Sequence, residues 1–524
     1  MTIYRSSRPD VALPTLPLTA FVFEHADQWP DAPALIEGPT GRVVTFRELR
    51  HQVRRVAVAL HERGFTKGQV IAAYAPNVPE YAAILHGASS IGVVTTTANP
   101  MYSPDELRRQ LRDSGARLLF TVGAMLERAR AAVEGTDVAE IIVLGAPADG
   151  VTTFADFIAR DGTPPEVPID LDEDIAVLPY SSGTTGMAKG VMLTHGNFVR
   201  NLAQAAFIER ESPDGATVGV LPFFHMYGQF IYLALRLRVG RPTVTMLQFD
   251  LEQFVRLASE HEVSHLYIVP PILLALARHP VVDKYDLSKL THVTVGAAPV
   301  SASVAAELTK RLGVIVRQAY GATELSPAVA FGGSTLESAR PEKAGRLVSN
   351  CELRIVNIET LEDVPIGTHG ELWIRGPQVM KGYLNRPEAT AECMAPGGWL
   401  RTGDIGYMDA DGYLSIVDRL KEFIKYKAYQ VAPAELESVL LTHSSVADAA
   451  VIGKANEEAG EIPKAFVVVR SPVTAAELIT YVASKVASYK KVREVEFVDA
   501  IPKSPSGKIL RRELVARERA KAGN

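Results

Sequence analysis

An α/β fold is predicted for this chain of 524 residues. Residues 1–417 read as a large N-terminal domain of mainly parallel sheets covered by helices, with a small β-barrel-like part. Residues 418–524 read as a small α+β C-terminal domain. Three observations predict this. The chain is too long for one ordinary hydrophobic core. Helical and strand patterns alternate up to Asp174, the rhythm of βαβ units. From Gly345 to Ile416 the composition shifts to Gly, β-branched residues and turns, as in a smaller antiparallel sheet or barrel. A compact last unit follows Val417-Asp418-Arg419-Leu420-Lys421, and about a hundred residues suffice for an independent domain.

Each element has a local reason. Thr45 and Glu48 form a capping box ahead of Leu49, Val53, Val56 and Leu60, and Gly64 stops that helix. Gly68 to Ala75 is the next strand. Ser103-Pro104-Asp105-Glu106 starts a second helix, with Pro104 suited to the first turn and Gly115 near the end. Ala116 to Val122 is again a strand. Ile175 to Leu178 and Val191 to His195 are apolar strands on either side of a polar loop. Val218 to Pro222 and Leu266 to Val269 continue the strands, Leu251 to His261 and Val304 to Leu312 the helices. Leu353 to Val356 and Gly370 to Ile374 are strands of the turn-rich region. In the last unit Pro433 to Leu441 is helical, Asp448 to Ile452 and Ala465 to Val469 are strands, and Thr474 with Glu477 caps a helix through Val486.

Composition excludes several classes. A hydrophobic share of 47% and a charged share of 22% are those of a globular protein. A net charge of −5 without a broad basic excess argues against sequence-wide nucleic-acid or acidic-membrane binding. Two cysteines, Cys351 and Cys393, rule out a disulfide scaffold and fit a reducing compartment. No Cys/His cluster has zinc spacing. The N-terminus lacks a signal-peptide core, no run could span a bilayer, and the last residues form no known address, so a cytoplasmic location is expected.

The chemistry begins in the polar loop. Tyr180-Ser181-Ser182-Gly183-Thr184-Thr185-Gly186-Met187-Ala188-Lys189-Gly190 holds four hydroxyls between Ser181 and Thr185, three glycines and one lysine. Glycine lets successive amides turn towards one ligand, and with hydroxyls they make an anion nest beside a compact positive charge. The usual P-loop has Ser or Thr after its Lys and opens a helix; here Gly190 and a β-branched run follow. Gln318-Ala319-Tyr320-Gly321-Ala322-Thr323-Glu324 offers a Thr for a phosphate oxygen and a Glu for a hard cation. Trp399-Leu400-Arg401-Thr402-Gly403-Asp404 ends on a carboxylate able to accept two ribose hydroxyls. Arg419, Lys421, Lys425 and Lys427 concentrate four cations at the domain junction, where sites often lie. Lys508, after Ser506-Gly507, sits in a loop that can swing into a cleft. Each stretch alone also fits a plain turn, charged loop or basic tail.

In this order the motifs resemble the adenylate-forming superfamily of acyl-CoA synthetases, firefly-type luciferases and peptide-synthetase adenylation domains, over nearly the whole chain. The nearest likeness is to bacterial cinnamate or 4-coumarate:CoA ligases. It is carried by Leu178-Pro179-Tyr180-Ser181-Ser182-Gly183, Leu221-Pro222-Phe223-Phe224-His225-Met226-Tyr227, Gln318-Ala319-Tyr320-Gly321, Ile424-Lys425-Tyr426-Lys427 and Gln430-Val431-Ala432-Pro433-Ala434-Glu435-Leu436-Glu437. The resemblance implies a two-step ligase using Mg-ATP and CoA: a carboxylate becomes an acyl-adenylate, then a thioester. It implies ATP contacts at Ser181, Ser182, Gly183, Thr184, Thr185, Lys189, Gln318, Ala319, Thr323, Asp404, Arg419, Lys421, Lys425 and Lys508. Glu324 would hold magnesium. Lys189, His225, Glu324 and Lys508 form the implied catalytic set. The acyl slot would comprise Tyr227, Ile231, Ala297, Ala319, Ala322, Pro327 and Phe331. Gln248, Lys427 and Ala428 would meet CoA, and a mobile small domain would pivot near Asp418.

Departures from the family pattern refine these expectations. Ala319 and Ile231 stand where many plant relatives carry Gly and a polar residue, which makes cinnamate-like or medium aliphatic acids at least as expected as 4-coumarate. Ala188 replaces the usual Pro of the phosphate loop. Gln248 replaces Lys or Arg near CoA phosphates, and Ala428 replaces a Gly, so the thioester half-reaction is expected to be weakened or altered. The alternative is a stand-alone adenylating enzyme that delivers its acyl group to a carrier protein or amine. The expected partners are a small carboxylic acid, ATP and CoA, with no nucleic acid, no membrane span and no obligate protein partner.

Overall fold

The computed structural model describes residues 2–181, 188–211, 214–427, 429–456, 459–505 and 507–522. Its largest sheet has eight strands, in the order Gly382–Tyr383, Lys189–Thr194, Ile175–Ser181, Val94–Thr97, Val70–Tyr74, Ala116–Val122, Glu140–Leu144 and Thr152–Thr153. From Ile175–Ser181 outward all pairs are parallel. Lys189–Thr194 turns back antiparallel to Ile175–Ser181, with Lys189 opposite Ser181. The polar loop is therefore the hairpin connection where the sheet changes from parallel to antiparallel.

A second sheet places His265–Ile268, His292–Val295 and Ile315–Gly321 parallel, then Ala328–Phe331 and Arg346–Leu347 antiparallel. A four-stranded sheet joins Thr217–Gly219, Thr243–Thr245, Pro33–Glu37 and Val43–Thr45. The turn-rich region forms a six-stranded antiparallel sheet that also takes up Tyr4–Arg5 from the N-terminus. The small unit has its own sheet of five strands, from Ile424–Tyr426 to Glu494–Phe497, and its own buried core around Ile424, Leu436, Val451 and Val467.

Helix starts follow the capping signals. The Thr45–Glu48 and Ser103–Glu106 boxes begin Phe46–Glu62 and Pro104–Ser114, and Gly115 ends the latter with φ 65°. Side-chain caps of this kind stabilise a helix start by about 1 kcal/mol. Thr194 caps a helix, His195–Ala205, so His195 opens a helix instead of closing a strand. The helix after Thr474 stops at Ala483, three residues short of Val486. The charged C-terminal stretch folds as a helix, Arg511–Ala522, although its charges show no apolar stripe to read.

Burial of imidazoles gives the large domain a pH-dependent stability. His86 and His195 are fully buried. His86 Nε2 lies 2.6 Å from the Leu233 carbonyl, and His195 Nδ1 accepts from Leu18 N at 3.1 Å. Burial pushes both down to about 4, whereas an unfolded imidazole titrates near 6.5. Between those values the unfolded chain binds more protons, so stability rises with pH across this window and is lost as pH falls through it. The melting temperature should therefore drop between pH 6.5 and 4.5. A flat profile would mean that these imidazoles charge within the folded protein.

Candidate active site

The end of the Ile175–Ser181 strand, the end of the Ile315–Gly321 strand and Lys508 open on one cavity of about 1370 Å³. Its wall includes Ser181, His225, Tyr227, Ile231, Ala297, Ala319, Ala322, Thr323, Glu324, Pro327, Phe331, Arg419 and Lys508. Residues from six separate stretches of sequence are thus brought together, Lys508 among them from the small C-terminal unit.

At one end the chemistry is ionic. Glu324 follows the strand in a short 3₁₀ turn, Thr323–Leu325. Its Oε1 accepts from Ser181 Oγ at 3.0 Å and from Tyr383 Oη at 2.9 Å. Neither bond uses Oε2. Lys189 Nζ lies 4.9 Å from the centre of the Tyr383 ring. One carboxylate beside a phosphate-binding loop is the donor set that magnesium accepts when substrate phosphates and water complete its shell.

The middle of the site is built by strand register. Asp404 and Arg419 are directly opposite each other in two antiparallel strands, so their side chains meet as a cross-strand pair. Arg419 Nε to Asp404 Oδ1 is 3.0 Å, and Tyr320 Oη donates to Asp404 Oδ2 at 2.7 Å. Asp404 is buried, one step behind the Tyr320 and Arg419 that line the cavity. Gln318 is also buried, its Nε2 2.5 Å from the Pro341 carbonyl.

The apolar end has an unexpected support. Residues Gln229–Leu235 form a π-helix, every one of them buried, and it carries Phe230 and Ile231 to the wall. Such widened turns are rare and recur at functional sites; no periodicity in the sequence announces one. Tyr227 packs beside Gly296, where an added Cβ would stand 2.9 Å from the ring. Tyr227 Oη is buried with no hydrogen-bond partner among the described residues. His225 Nδ1 accepts from Tyr227 N at 3.2 Å. Burial, with the Lys508 charge adding to it, pushes the His225 imidazole down to about 4, so at neutral pH it is uncharged with its proton on Nε2.

Lys508 reaches the cavity from a tight loop. Ser504 N donates to the Lys508 carbonyl at 2.8 Å, and Lys508 N donates to Ser504 Oγ at 3.1 Å. Gly507 has φ +77°, and a Cβ there would lie 3.0 Å from Val269 of the large domain. The loop therefore docks by close backbone approach. Burial and then Arg419 hold the Lys508 ammonium below its usual range. At the joint, Asp418 accepts from Arg419 N at 2.7 Å and from Ala434 N at 2.9 Å.

Other expected residues stand apart from this wall. Gln248, Lys421, Lys425 and Lys427 are exposed. Ser182, Gly183, Thr184, Thr185 and Ala428 lie outside the described residues.

Two family models match the chain: AMP-binding enzyme over residues 22–384, and AMP-binding enzyme C-terminal domain over residues 435–508. The chain belongs to the adenylate-forming AMP-binding enzymes. A 4-coumarate–CoA ligase of Pinus taeda is 42% identical, over 99% of this chain and 98% of that one. Among solved structures, an anthranilate CoA ligase in complex with anthranoyl-AMP has a TM-score of 0.89 at 26% identity, covering 98% of this chain and 99% of that one. An amide bond synthetase from Marinactinospora thermotolerans has a TM-score of 0.85 at 29% identity, covering 96% and 99%. ATP-dependent acid:CoA ligation through an acyl-adenylate is the activity these likenesses support for this AMP-binding enzyme, with ATP and CoA as its cosubstrates.

Two tyrosines that hold carboxylates at this cavity, Tyr320 on Asp404 and Tyr383 on Glu324, escaped sequence reasoning. Tyr320 lay inside a quoted motif, but its role depends on Asp404, 84 positions away. Tyr383 sits in a two-residue edge strand, too short to leave a periodic signal.

Proposed function

We propose that this enzyme activates an aryl carboxylic acid of the cinnamate or 4-coumarate type, or a medium aliphatic acid of similar girth, and transfers it to CoA. The observation that carries this reading is the shared cavity, whose wall joins the apolar Ile231, Ala319 and Phe331 to the charged Lys508, Arg419 and Glu324. The acid's carboxylate oxygen attacks the α-phosphorus of ATP, a new O–P bond forms, the bond from that phosphorus to the bridging oxygen breaks, and pyrophosphate leaves with its electron pair. The CoA thiol then attacks the acyl carbon, a C–S bond replaces the C–O bond to phosphate, and AMP and a proton depart.

Residue roles follow from chemistry. Ser181 and Lys189, with the neighbouring Ser182, Gly183, Thr184 and Thr185, would hold the phosphates, and Glu324 would hold the magnesium ion that accompanies them. Gln318, Ala319 and Thr323 would line the adenylate, and Asp404 with Arg419 would take the ribose. Lys508 would lie between the two negative groups that must meet, as fixed charges do in phosphoryl transfer. His225, neutral and half-buried, would close the slot beside Tyr227. Residues 1–417 and 418–524 would be the bodies that rotate between steps, a recurring way to run two reactions in one site. Asp418 would be the pivot, its carboxylate bonding the adjacent Arg419 amide and the Ala434 amide at the start of the next helix. Lys421, Lys425, Lys427, Ala428 and Gln248 would serve ATP or CoA in other arrangements.

The slot suggests the acid. Ala297, Ala319, Ala322, Pro327 and Phe331 give it short or flat walls, and Ile231 offers no hydrogen bond. The Tyr227 hydroxyl, buried without a partner among the described residues, favours acids with a polar ring substituent, because leaving such a group unpaired costs about 1–3 kcal/mol. A panel of acids with ATP and CoA, read by mass spectrometry of the thioesters, tests the assignment. Ala319→Gly should admit bulkier ring-substituted acids, with kcat/KM for them rising about tenfold, the order of one methyl group in a hydrophobic pocket. An unchanged acid profile would remove Ala319 from the slot.

A further inference from the structure

The short segment Met380 to Leu384 ties together the two elements of the ionic end, the Glu324 turn and the Lys189–Thr194 strand. Met380 N donates to the Glu324 carbonyl at 2.9 Å, Lys381 N to the Met192 carbonyl at 3.0 Å and Leu384 N to the Gly190 carbonyl at 2.8 Å. It is thus zipped to the Lys189–Thr194 strand on one side and to the Glu324 turn on the other. Tyr383 is opposite Val191. Lys189 lies two residues from Val191 and so on the same face of the strand, which makes it the diagonal neighbour of Tyr383. The side chain uses both of its surfaces: the hydroxyl donates to Glu324 Oε1 at 2.9 Å, and the ring faces Lys189 Nζ at 4.9 Å.

We propose that Tyr383 is a positioning residue for the metal-and-phosphate end of the site, setting the Glu324 carboxylate with its hydroxyl and the Lys189 ammonium with its ring. This rests on the roles given above to Glu324 and Lys189. The geometry separates two contributions in one side chain. The hydrogen bond fixes Oε1, which leaves Oε2 to face a cation. The cation–π contact holds a flexible ammonium over an aromatic face, an arrangement that limits its wandering before phosphate arrives.

Two substitutions test the division. Tyr383→Phe keeps the ring and the packing but removes the hydroxyl. Tyr383→Leu removes both. Binding of α,β-methylene-ATP is measured by calorimetry without metal, and Mn2+ binding to that complex by electron paramagnetic resonance. Tyr383→Phe should weaken Mn2+ about tenfold, the loss of one hydrogen bond to a charged group, and leave metal-free nucleotide binding unchanged. Tyr383→Leu should weaken Mn2+ equally and also weaken metal-free nucleotide about fivefold, the order of one cation–π contact. The proposal is overturned if Tyr383→Phe binds Mn2+ like the wild type, or if the two variants bind metal-free nucleotide alike. Glu324→Gln and Lys189→Ala run as references. If they change neither affinity, the underlying roles fail; if they do and Tyr383 does not, only the positioning role fails.

Discussion

Lys508→Ala is expected to lower adenylate formation from acid and ATP by about 10²- to 10³-fold, the loss typical of removing one fixed charge-stabilising donor, and to leave thioester formation from a supplied acyl-adenylate within a few fold of wild type. The asymmetry follows from charge. In the first step a carboxylate must approach a phosphate group, and two anions repel until a cation lies between them. In the second step a thiol attacks an acyl carbon that carries no charge. Lys508 lines the cavity with Arg419, and burial holds its ammonium below the usual range. That burial is the cost of drawing a cation into a site which an incoming anion then repays. Pyrophosphate release and thioester formation should be followed separately. Equal loss in both would mean that Lys508 stays in place throughout and that the domains do not exchange roles.

How much of this was legible in the sequence depends on the range of the contact involved. The two strands flanking the polar loop were, because Ile175 to Leu178 and Val191 to Leu193 are apolar runs; that they pair antiparallel, with Lys189 opposite Ser181, was not. Capping boxes at Thr45, Ser103 and Thr474 were, because the signal lies within four residues. The Asp404–Arg419 pair was legible only through the family resemblance, which implies both at the ribose; the residues alone give a turn carboxylate and one of four junction cations, and the register of two strands is what makes them partners. Arg419 alone of those four lines the cavity, because the chain turns at Leu420 and Lys421 and leaves the lysines exposed. The π-helix at Gln229–Leu235 was equally hidden: an apolar run of that length reads as buried, but its winding is decided by what packs around it.

Gly321→Ala is the substitution expected to damage the site most for the fewest atoms added. Gly321 pairs with Ala328 where the Ile315–Gly321 strand meets its antiparallel neighbour, and the register shifts there. The turn that follows is closed by Ala322 N donating to the Pro327 carbonyl at 3.0 Å. A Cβ on Gly321 would lie 1.9 Å from that carbonyl oxygen, far inside contact distance, and backbone has no flexible end to move aside. Either the strand or the turn must give. The strand carries Tyr320, which holds Asp404 at 2.7 Å; the turn carries Thr323, Glu324 and Pro327. Displacing such groups by about 1 Å is enough to cost roughly 10²-fold in rate, so kcat/KM for adenylation should fall by about that factor or more. The large core does not depend on Gly321, so the folded fraction should persist. Circular dichroism melting and pyrophosphate release, measured on the same preparation, distinguish the two effects. Wild-type rates in a folded variant would show that the turn tolerates the shift and that Glu324 need not stand where it does.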